Sequence, residues 1–191
     1  MTEQQPYDVV AQHPGFELRR YPSHAVAEAA VDVTFERAAN QVFRDLAGYL
    51  GGQNGGGRKV EMAAPAVQES PTRIAMTAPV VQEAGEDPGR YMVAFVLPAG
   101  YTAETSPQPT NARVTIRQVG EHLAAASRAP GRWTRAAYDE ASAALRASVK
   151  AAGYTITGPV RYARFDPPWK PFFLRRNEVV VPVSPLPRET T

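Results

Sequence analysis

The spacing of apolar residues along the chain predicts two successions of strands, each interrupted by one helix. Short stretches in which apolar and polar residues alternate, or in which β-branched residues persist, are typical of strands. These stretches are 7–10, 16–21, 24–33, 91–97, 114–119, 122–127, 160–165 and 178–183. Gly120 and Glu121 separate two of the stretches, and this short link predicts a β-hairpin.

Two longer stretches have apolar residues at helical spacing. The first helix is predicted from an N-cap at Thr34 to about Leu50, just before two glycines. The second is predicted from an N-cap at Thr134 to Gly153. Its apolar stripe is narrow and consists of Tyr138, Ala141, Leu145, Val149 and Ala152.

This order of elements predicts an α+β domain in which a mostly antiparallel sheet curves around or against two helices. Because each half has strands, a helix and strands again, we expect two halves related by a pseudo-twofold. An internal echo of 59–69 in 73–83 predicts two similar strand ends, with Met62 and Met76 at equivalent places. We expect one domain over residues 1–183 and a flexible tail over 184–191.

Composition narrows the classes of protein. The chain has 191 residues, 43% of them hydrophobic and 21% charged, which is typical of a globular domain. It has no cysteine, which excludes disulfides, thiolate catalysis and thiolate ligation of iron. The net charge is only +2 and the arginines are scattered, so we expect no nucleic-acid partner. Without an apolar leader or a membrane-spanning run, the expectation is a cytoplasmic protein that does not engage a membrane.

Motifs of common enzymes are missing from the sequence. It contains no Gly-x-Ser-x-Gly elbow, phosphate-binding loop or dinucleotide fingerprint, so we predict no catalytic residues. The three histidines are His13, His24 and His122, and none has a second ligand at the i,i+4 spacing of a helical metal site.

Five segments, taken together, resemble the signature stretches of the SOUL/heme-binding protein family. They follow that family's order and span roughly residues 7 to 183. The resemblance implies a distorted antiparallel β-barrel with two helices outside it, and the binding of heme or related porphyrins. The segments are Phe16–Tyr21, Met76–Val80, Gly131–Trp133, Asp166–Pro168 and Arg175–Val179.

The resemblance also implies a site in which the tetrapyrrole lies on an apolar face of the first helix. Asn40, Phe43 and Ala47 match the helix positions proposed to face heme, and Lys170 matches a lysine proposed to pair with a propionate. Some members have been described as using a histidine ligand at the place of Arg20, so that ligation is not expected here. The metal ligand is left open.

The residues of the first helix agree with this site independently. Its apolar positions cover about half of the circumference, whereas a surface helix commonly needs a stripe of little more than about 100°. Phe43 and Ala47 lie at one margin of this wide stripe, on the same face as Asn40. Met76 is a further candidate for soft contact with a macrocycle, although its phase in the strand is also that of a core residue.

We therefore expect a protein that binds heme as its ligand and buffers or delivers it to an acceptor protein that the sequence does not identify. One alternative is a general effector-binding module of the gyrase-inhibitor-like kind, which would bind bulky cations and need a buried carboxylate. Another alternative is a tetrapyrrole-modifying enzyme, for which Glu36 is the carboxylate closest to the proposed site on the helix.

Overall fold

The computed structural model describes residues 3–55, 77–78, 80–84, 90–132, 134–166 and 170–185. The helices are α1 Phe35–Leu50 and α2 Arg135–Ala151, with a short 3-10 helix at Phe172–Leu174. The strands are β1 Glu3–Gln4, β2 Asp8–His13, β3 Phe16–Tyr21, β4 His24–Asp32, β5 Asn54–Gly55, β6 Thr77–Ala78, β7 Val80–Ala84, β8 Arg90–Val96, β9 Gln108–Pro109, β10 Thr115–Val119, β11 His122–Arg128, β12 Tyr154–Ile156, β13 Arg161–Arg164 and β14 Asn177–Pro185.

One large antiparallel sheet carries the fold, which confirms the predicted α+β class. Its strands follow the order β10-β4-β8-β7-β13-β14-β11-β3-β2, and β12 pairs with β14 beside this path. The order has a pseudo-twofold about the β7–β13 pair. In the first half β4, α1, β7 and β8 occur in this order along the chain. In the second half β11, α2, β13 and β14 occur in the same order.

The predicted hairpin at Gly120-Glu121 is wrong. β10 pairs with β4, and β11 pairs with β3 and β14, so the two strands that this link joins lie in different halves of the sheet. The link at Pro22-Ser23 does the same for β3 and β4. A two-residue link between strand patterns is a usual hairpin signal, but here both links carry the chain across the pseudo-twofold.

The expected β-barrel is not closed. In the described part of the chain, β10 and β2 are the two ends of the strand path, and no ladder joins them. The sheet is nevertheless curled, since β3 and β4 are six steps apart in the path, or about 29 Å at about 4.8 Å per strand. Three peptide units, from Tyr21 to His24, span at most about 11 Å. The ends of the sheet therefore come together at the links.

Both helices pack on the same face of the sheet and begin where the sequence predicts, while α2 ends at Ala151, two residues before the predicted Gly153. Thr34 and Thr134 are the N-caps, and the Thr134 hydroxyl accepts a hydrogen bond from the Ala137 N–H at 3.3 Å. Leu46 of α1 and Leu145 of α2 are completely buried in the shared core. Other members of this core are Leu18, Ala27, Val93, Phe95, Tyr162, Val179 and Val181.

Some of the predicted features lie partly or wholly outside the described residues. The first copy of the internal echo, including Met62, and Met76 of the second copy lie outside the described residues. The last four residues of the second copy belong to β7. The final strand continues through Ser184 to Pro185, where it pairs with β12.

A buried ion-pair network joins β3 to the last strand, β14, on the face of the sheet opposite the helices. Glu178 of β14 is 1% exposed and accepts hydrogen bonds from Arg19 of β3 at 2.6 Å and from Arg176 at 2.9 Å. The guanidinium of Arg19 also lies 4.2 Å from the ring centroid of Tyr7. Residues 175–179 and 16–21 are two of the segments that carry the family resemblance, but the sequence did not indicate that Glu178 and Arg19 are partners.

We expect the variant Glu178→Gln to lose about 3 kcal/mol of unfolding free energy, because it leaves two arginines without a buried counter-charge. The control is Glu17→Gln, which removes the half-exposed second partner of Arg19 and should cost less than about 1 kcal/mol. Urea denaturation followed by circular dichroism measures both. Equal losses would contradict the structural importance of Glu178.

Candidate ligand-binding surfaces on the two faces of the sheet

The first candidate surface is the margin of α1 formed by Asn40, Phe43 and Ala47, here called the helix ledge. Seven apolar residues of α1 are buried, whereas Phe43 is 44% exposed and Ala47 is half-buried. Asn40 is exposed beside them. The apolar stripe of α1 is therefore wider than the part that the sheet covers.

Phe43 is supported from below by the core. Its ring lies 5.5 Å from the ring of Phe95, centroid to centroid, in an edge-to-face arrangement. Phe95 belongs to β8 and is completely buried. This contact holds one side of the Phe43 ring, so the ledge offers a supported aromatic surface to a ligand.

Lys170 has a partner within the protein. Its Nζ donates a hydrogen bond to Asp166 Oδ1 at 2.7 Å, and its side chain remains 37% exposed. Asp166 also accepts from the backbone N–H of Arg176. In the described part of the chain, the hydrogen bonds of Lys170 are with Asp166 and, through its carbonyl oxygen, with Arg175, and neither partner belongs to α1. Met76 lies outside the described residues.

The second candidate surface is a concave space on the face of the sheet opposite the helices, here called the cleft. Its cavity volume is about 50 Å³, below the usual range for a site that encloses a whole small molecule. Its floor carries small apolar side chains, and larger ones, Tyr7, Tyr21, Met92 and Phe165, also line it. The small residues are Val26, Val81, Ala94, Val96, Val119, Ala163 and Val180. Sequence analysis missed this surface because it depends on the curling of the sheet.

The carboxylates of the cleft are neutralised by arginines. Both oxygens of Glu28, which is 7% exposed, accept hydrogen bonds from Arg117 at 2.8 to 3.0 Å. Glu178 is saturated by the network described above. Arg161 adds a further positive charge to the lining. Both carboxylates of the cleft are therefore already paired, and neither is left to attract a cationic ligand.

Two histidines lie together where the halves of the sheet cross. His24 opens β4 and His122 opens β11, and their ring centroids are 6.0 Å apart. His24 Nδ1 lies 2.8 Å from the carbonyl oxygen of Pro22, and His122 Nδ1 lies 2.9 Å from that of Gly120. In each case the partner is two residues earlier, so the local geometry is duplicated by the pseudo-twofold.

The environment keeps both imidazoles neutral. Burial lowers the pKa of His24 and of His122 below the ordinary value for histidine, and the carbonyl hydrogen bonds oppose this only in part. A carbonyl oxygen can only accept, so the proton of each neutral ring is on Nδ1 and the lone pair is on Nε2. Among the described residues, the hydrogen-bonding neighbour of these Nε2 atoms is the Gln5 side-chain nitrogen, which lies 3.0 Å from Nε2 and 3.3 Å from Nδ1 of His24. The spacing of His24 and His122 in the sequence gave no metal-site signal. Only the two-residue links that precede them indicate that the two histidines occupy equivalent positions.

In the ranges that the structure describes, no three or more histidine, aspartate or glutamate side chains form a metal-binding group. No described helix combines the length and apolar character required to cross a membrane.

Comparison with known proteins gives one family and several structural likenesses. Residues 2–182 match the family described as SOUL heme-binding protein. The crystal structure of the EcmrR C-terminal domain is similar, with a TM-score of 0.64, 12% identity, and coverage of 94% of this chain and 99% of that one. A hydrolase from Listeria innocua has a TM-score of 0.59, 12% identity, and coverage of 92% and 94%. At these identities the likenesses show the fold alone. No curated protein matches the sequence.

The turn around Asp166 should make stability depend on acidity. Burial raises the pKa of Asp166, but hydrogen bonds from the Arg176 N–H and from Lys170 outweigh it and hold this pKa below its ordinary value. A lowered carboxyl pKa contributes stability that is present above the unfolded pKa, about 3.9, and is lost as pH falls through the folded one. The unfolding free energy of the protein should therefore exceed that of Asp166→Asn at pH 7, and the difference should shrink below about pH 4. Urea titrations at pH 7 and pH 3 measure this difference, and a constant value would contradict it.

Proposed function

Because this chain belongs to the SOUL heme-binding protein family, we propose that it binds heme or a related porphyrin and buffers or delivers it without changing the tetrapyrrole chemically. The observation that supports a site on α1 is the partly uncovered Phe43, 44% exposed above a buried aromatic core. An aromatic side chain has about 150–250 Å² to bury, so covering the exposed part of Phe43 is worth roughly 2 kcal/mol.

The helix ledge suits a flat ligand in shape and polarity. Phe43 and Ala47 offer apolar contact, and Asn40 at their edge offers a hydrogen-bonding amide. In this proposal Lys170 is a propionate partner that would be shared with Asp166. No protein ligand for iron is included at the helix ledge, so binding there would depend on the macrocycle and its propionates.

A general effector-binding role is the second candidate function, and the cleft is the observation that favours it. The version that binds bulky cations is not supported by the charges, since Glu28 and Glu178 are both paired with arginine. An amphipathic anion agrees better with this lining. A porphyrin with its propionates belongs to that chemical class, so the second candidate does not exclude the first.

Tetrapyrrole modification is less well supported. Glu36 accepts a hydrogen bond from the backbone N–H of Arg135 at 2.9 Å, and this bond is the main reason that its pKa is lowered. A carboxyl group with a lowered pKa is ionised near neutral pH and is a poor general acid. Conversion of bound hemin over time would be the result that reverses this judgement.

Hemin titration tests the proposal directly. The purified protein should give a saturable, shifted Soret band, and Phe43→Asp should weaken hemin binding by about tenfold or more, because a charge replaces the apolar contact. Phe173→Asp is the matched control, since Phe173 is 71% exposed and lies on the 3-10 helix instead of α1. Non-saturating binding without a spectral shift would contradict the function. Equal losses of affinity and of thermal stability in Phe43→Asp would assign Phe43 to the core.

The propionate contact can be tested separately. Lys170→Gln should weaken the binding of protoporphyrin about two- to fivefold, the size of an exposed ion pair, and leave the binding of its dimethyl ester unchanged. Fluorescence quenching measures both ligands. A similar loss for the acid and for the ester would show that Lys170 acts through the structure of its turn and not through charge.

A further inference from the structure

The paired histidines at the crossing point of the sheet have the features of an unassigned ligand set. Both line the cleft, both begin strands that follow two-residue links, and both belong to the described residues. We propose that His24 and His122 form a two-imidazole site for a transition-metal centre at the mouth of the cleft. The centre would be either a free divalent ion or the iron of a bound tetrapyrrole. Only the second of these sources depends on the proposed function.

The first argument is the orientation of the rings. A histidine that binds a metal usually donates its other ring N–H to a carbonyl or carboxylate, which fixes the tautomer and the ring. His24 and His122 have this second contact already, to the carbonyl oxygens of Pro22 and Gly120. In each ring Nε2 is then the nitrogen that a metal would use.

The second argument is the distance between the rings. With a metal–nitrogen bond of about 2.1 Å, an imidazole centroid lies about 3.2 Å from the metal, so two rings on one ion have centroids roughly 5.2 Å apart at the tetrahedral angle and roughly 6.4 Å apart when opposite. The observed separation of 6.0 Å lies between these values. The spacing of the ring centroids is therefore compatible with one shared ion.

The surroundings leave the rest of the coordination sphere to an external ligand. Glu28 and Glu178 are held by arginines, and the described residues provide no third protein ligand in a metal group. Open positions of this kind are typical of metals that bind a further molecule.

Gln5 restricts access to one of the two ligands. Its side-chain nitrogen lies 3.0 Å from Nε2 and 3.3 Å from Nδ1 of His24, so the amide covers this ring. Gln5 has to move away before a metal can approach His24, whereas no residue in the described part of the chain forms a hydrogen bond with Nε2 of His122. Removal of this amide should therefore strengthen metal binding, a result that a purely structural histidine pair would not give.

The experiment uses the full chain and nickel ion as the probe. Calorimetric titration at pH 7.5 should show one site, with affinity at least about tenfold weaker in His24→Gln and in His122→Gln, and severalfold tighter in Gln5→Ala. His13→Gln is the matched control, since His13 stacks on Phe16 at a distant turn and should not matter. Nickel affinity that is the same in all three histidine variants would overturn the free-ion source.

Hemin and metal-free protoporphyrin distinguish the second source. If heme iron is the centre, the imidazole-type hemin spectrum of the protein should be lost in His122→Gln and retained in Phe43→Asp, while metal-free porphyrin binding is unaffected by the histidines. Nickel binding without any hemin binding would support the free ion and contradict the proposed function. Hemin binding with a histidine-independent spectrum, together with no nickel site, would overturn the inference and leave the function intact.

One measurement avoids variants that fold poorly. In the unmodified protein labelled with ¹⁵N, substoichiometric nickel should broaden the imidazole resonances of His24 and His122 and leave those of His13 sharp. Uniform broadening of all three rings, or of none, would overturn the free-ion source even if every variant unfolds.

Discussion

Two short links control the shape of this protein. Pro22-Ser23 and Gly120-Glu121 each join strands that lie six steps apart in the path of the sheet. A flat sheet would separate such strands by about 29 Å, but three peptide units cannot span more than about 11 Å. The sheet must curl until its ends meet at the links. The cleft, its buried ion pairs and the contact between His24 and His122 all depend on that curl.

The curl also explains why the two faces of the sheet differ. The helix-side face is covered by α1 and α2 and is packed with large apolar residues such as Phe95 and Tyr162. The other face turns towards itself, and there β4 and β8 carry small side chains such as Val26 and Ala94. Charged groups buried on this face require partners. The hydrogen bonds that Glu178 accepts from Arg19 and Arg176 meet that requirement, and the bond from Arg19 joins β3 to β14.

Local features of the fold could be predicted from the sequence, whereas the pairing of strands could not. Thr34 and Thr134 indicate helix starts because capping depends on neighbouring residues only. The repeated order of elements indicated the pseudo-twofold. Gly120-Glu121 was misleading because a two-residue link has the same sequence signature whether its strands pair or separate. The choice depends on partners that are far away in the chain.

The residues of the candidate surfaces also differ in how far the sequence could identify them. The uncovered margin of α1 follows from helical periodicity, so Phe43 could be identified without coordinates. Arg19, Glu28 and His122 could not be grouped, because each lies on a different strand and only the tertiary fold brings their elements to one face. Lys170 could be found by its resemblance to a family position, but the resemblance did not indicate that Asp166 already binds it.

The two candidate surfaces have different chemical requirements. Phe43 contacts Phe95 on the helix side of β8, whereas the neighbouring Ala94 lines the cleft on the other side, so one flat macrocycle cannot lie on both. A ligand on the helix ledge is held by its ring surface and propionates, and the presence of iron makes little difference. A ligand in the cleft can be held through a metal, because His122 has an Nε2 lone pair and a fixed Nδ1 proton. The preference of the protein between hemin and metal-free porphyrin therefore indicates which face of the sheet is the main binding surface.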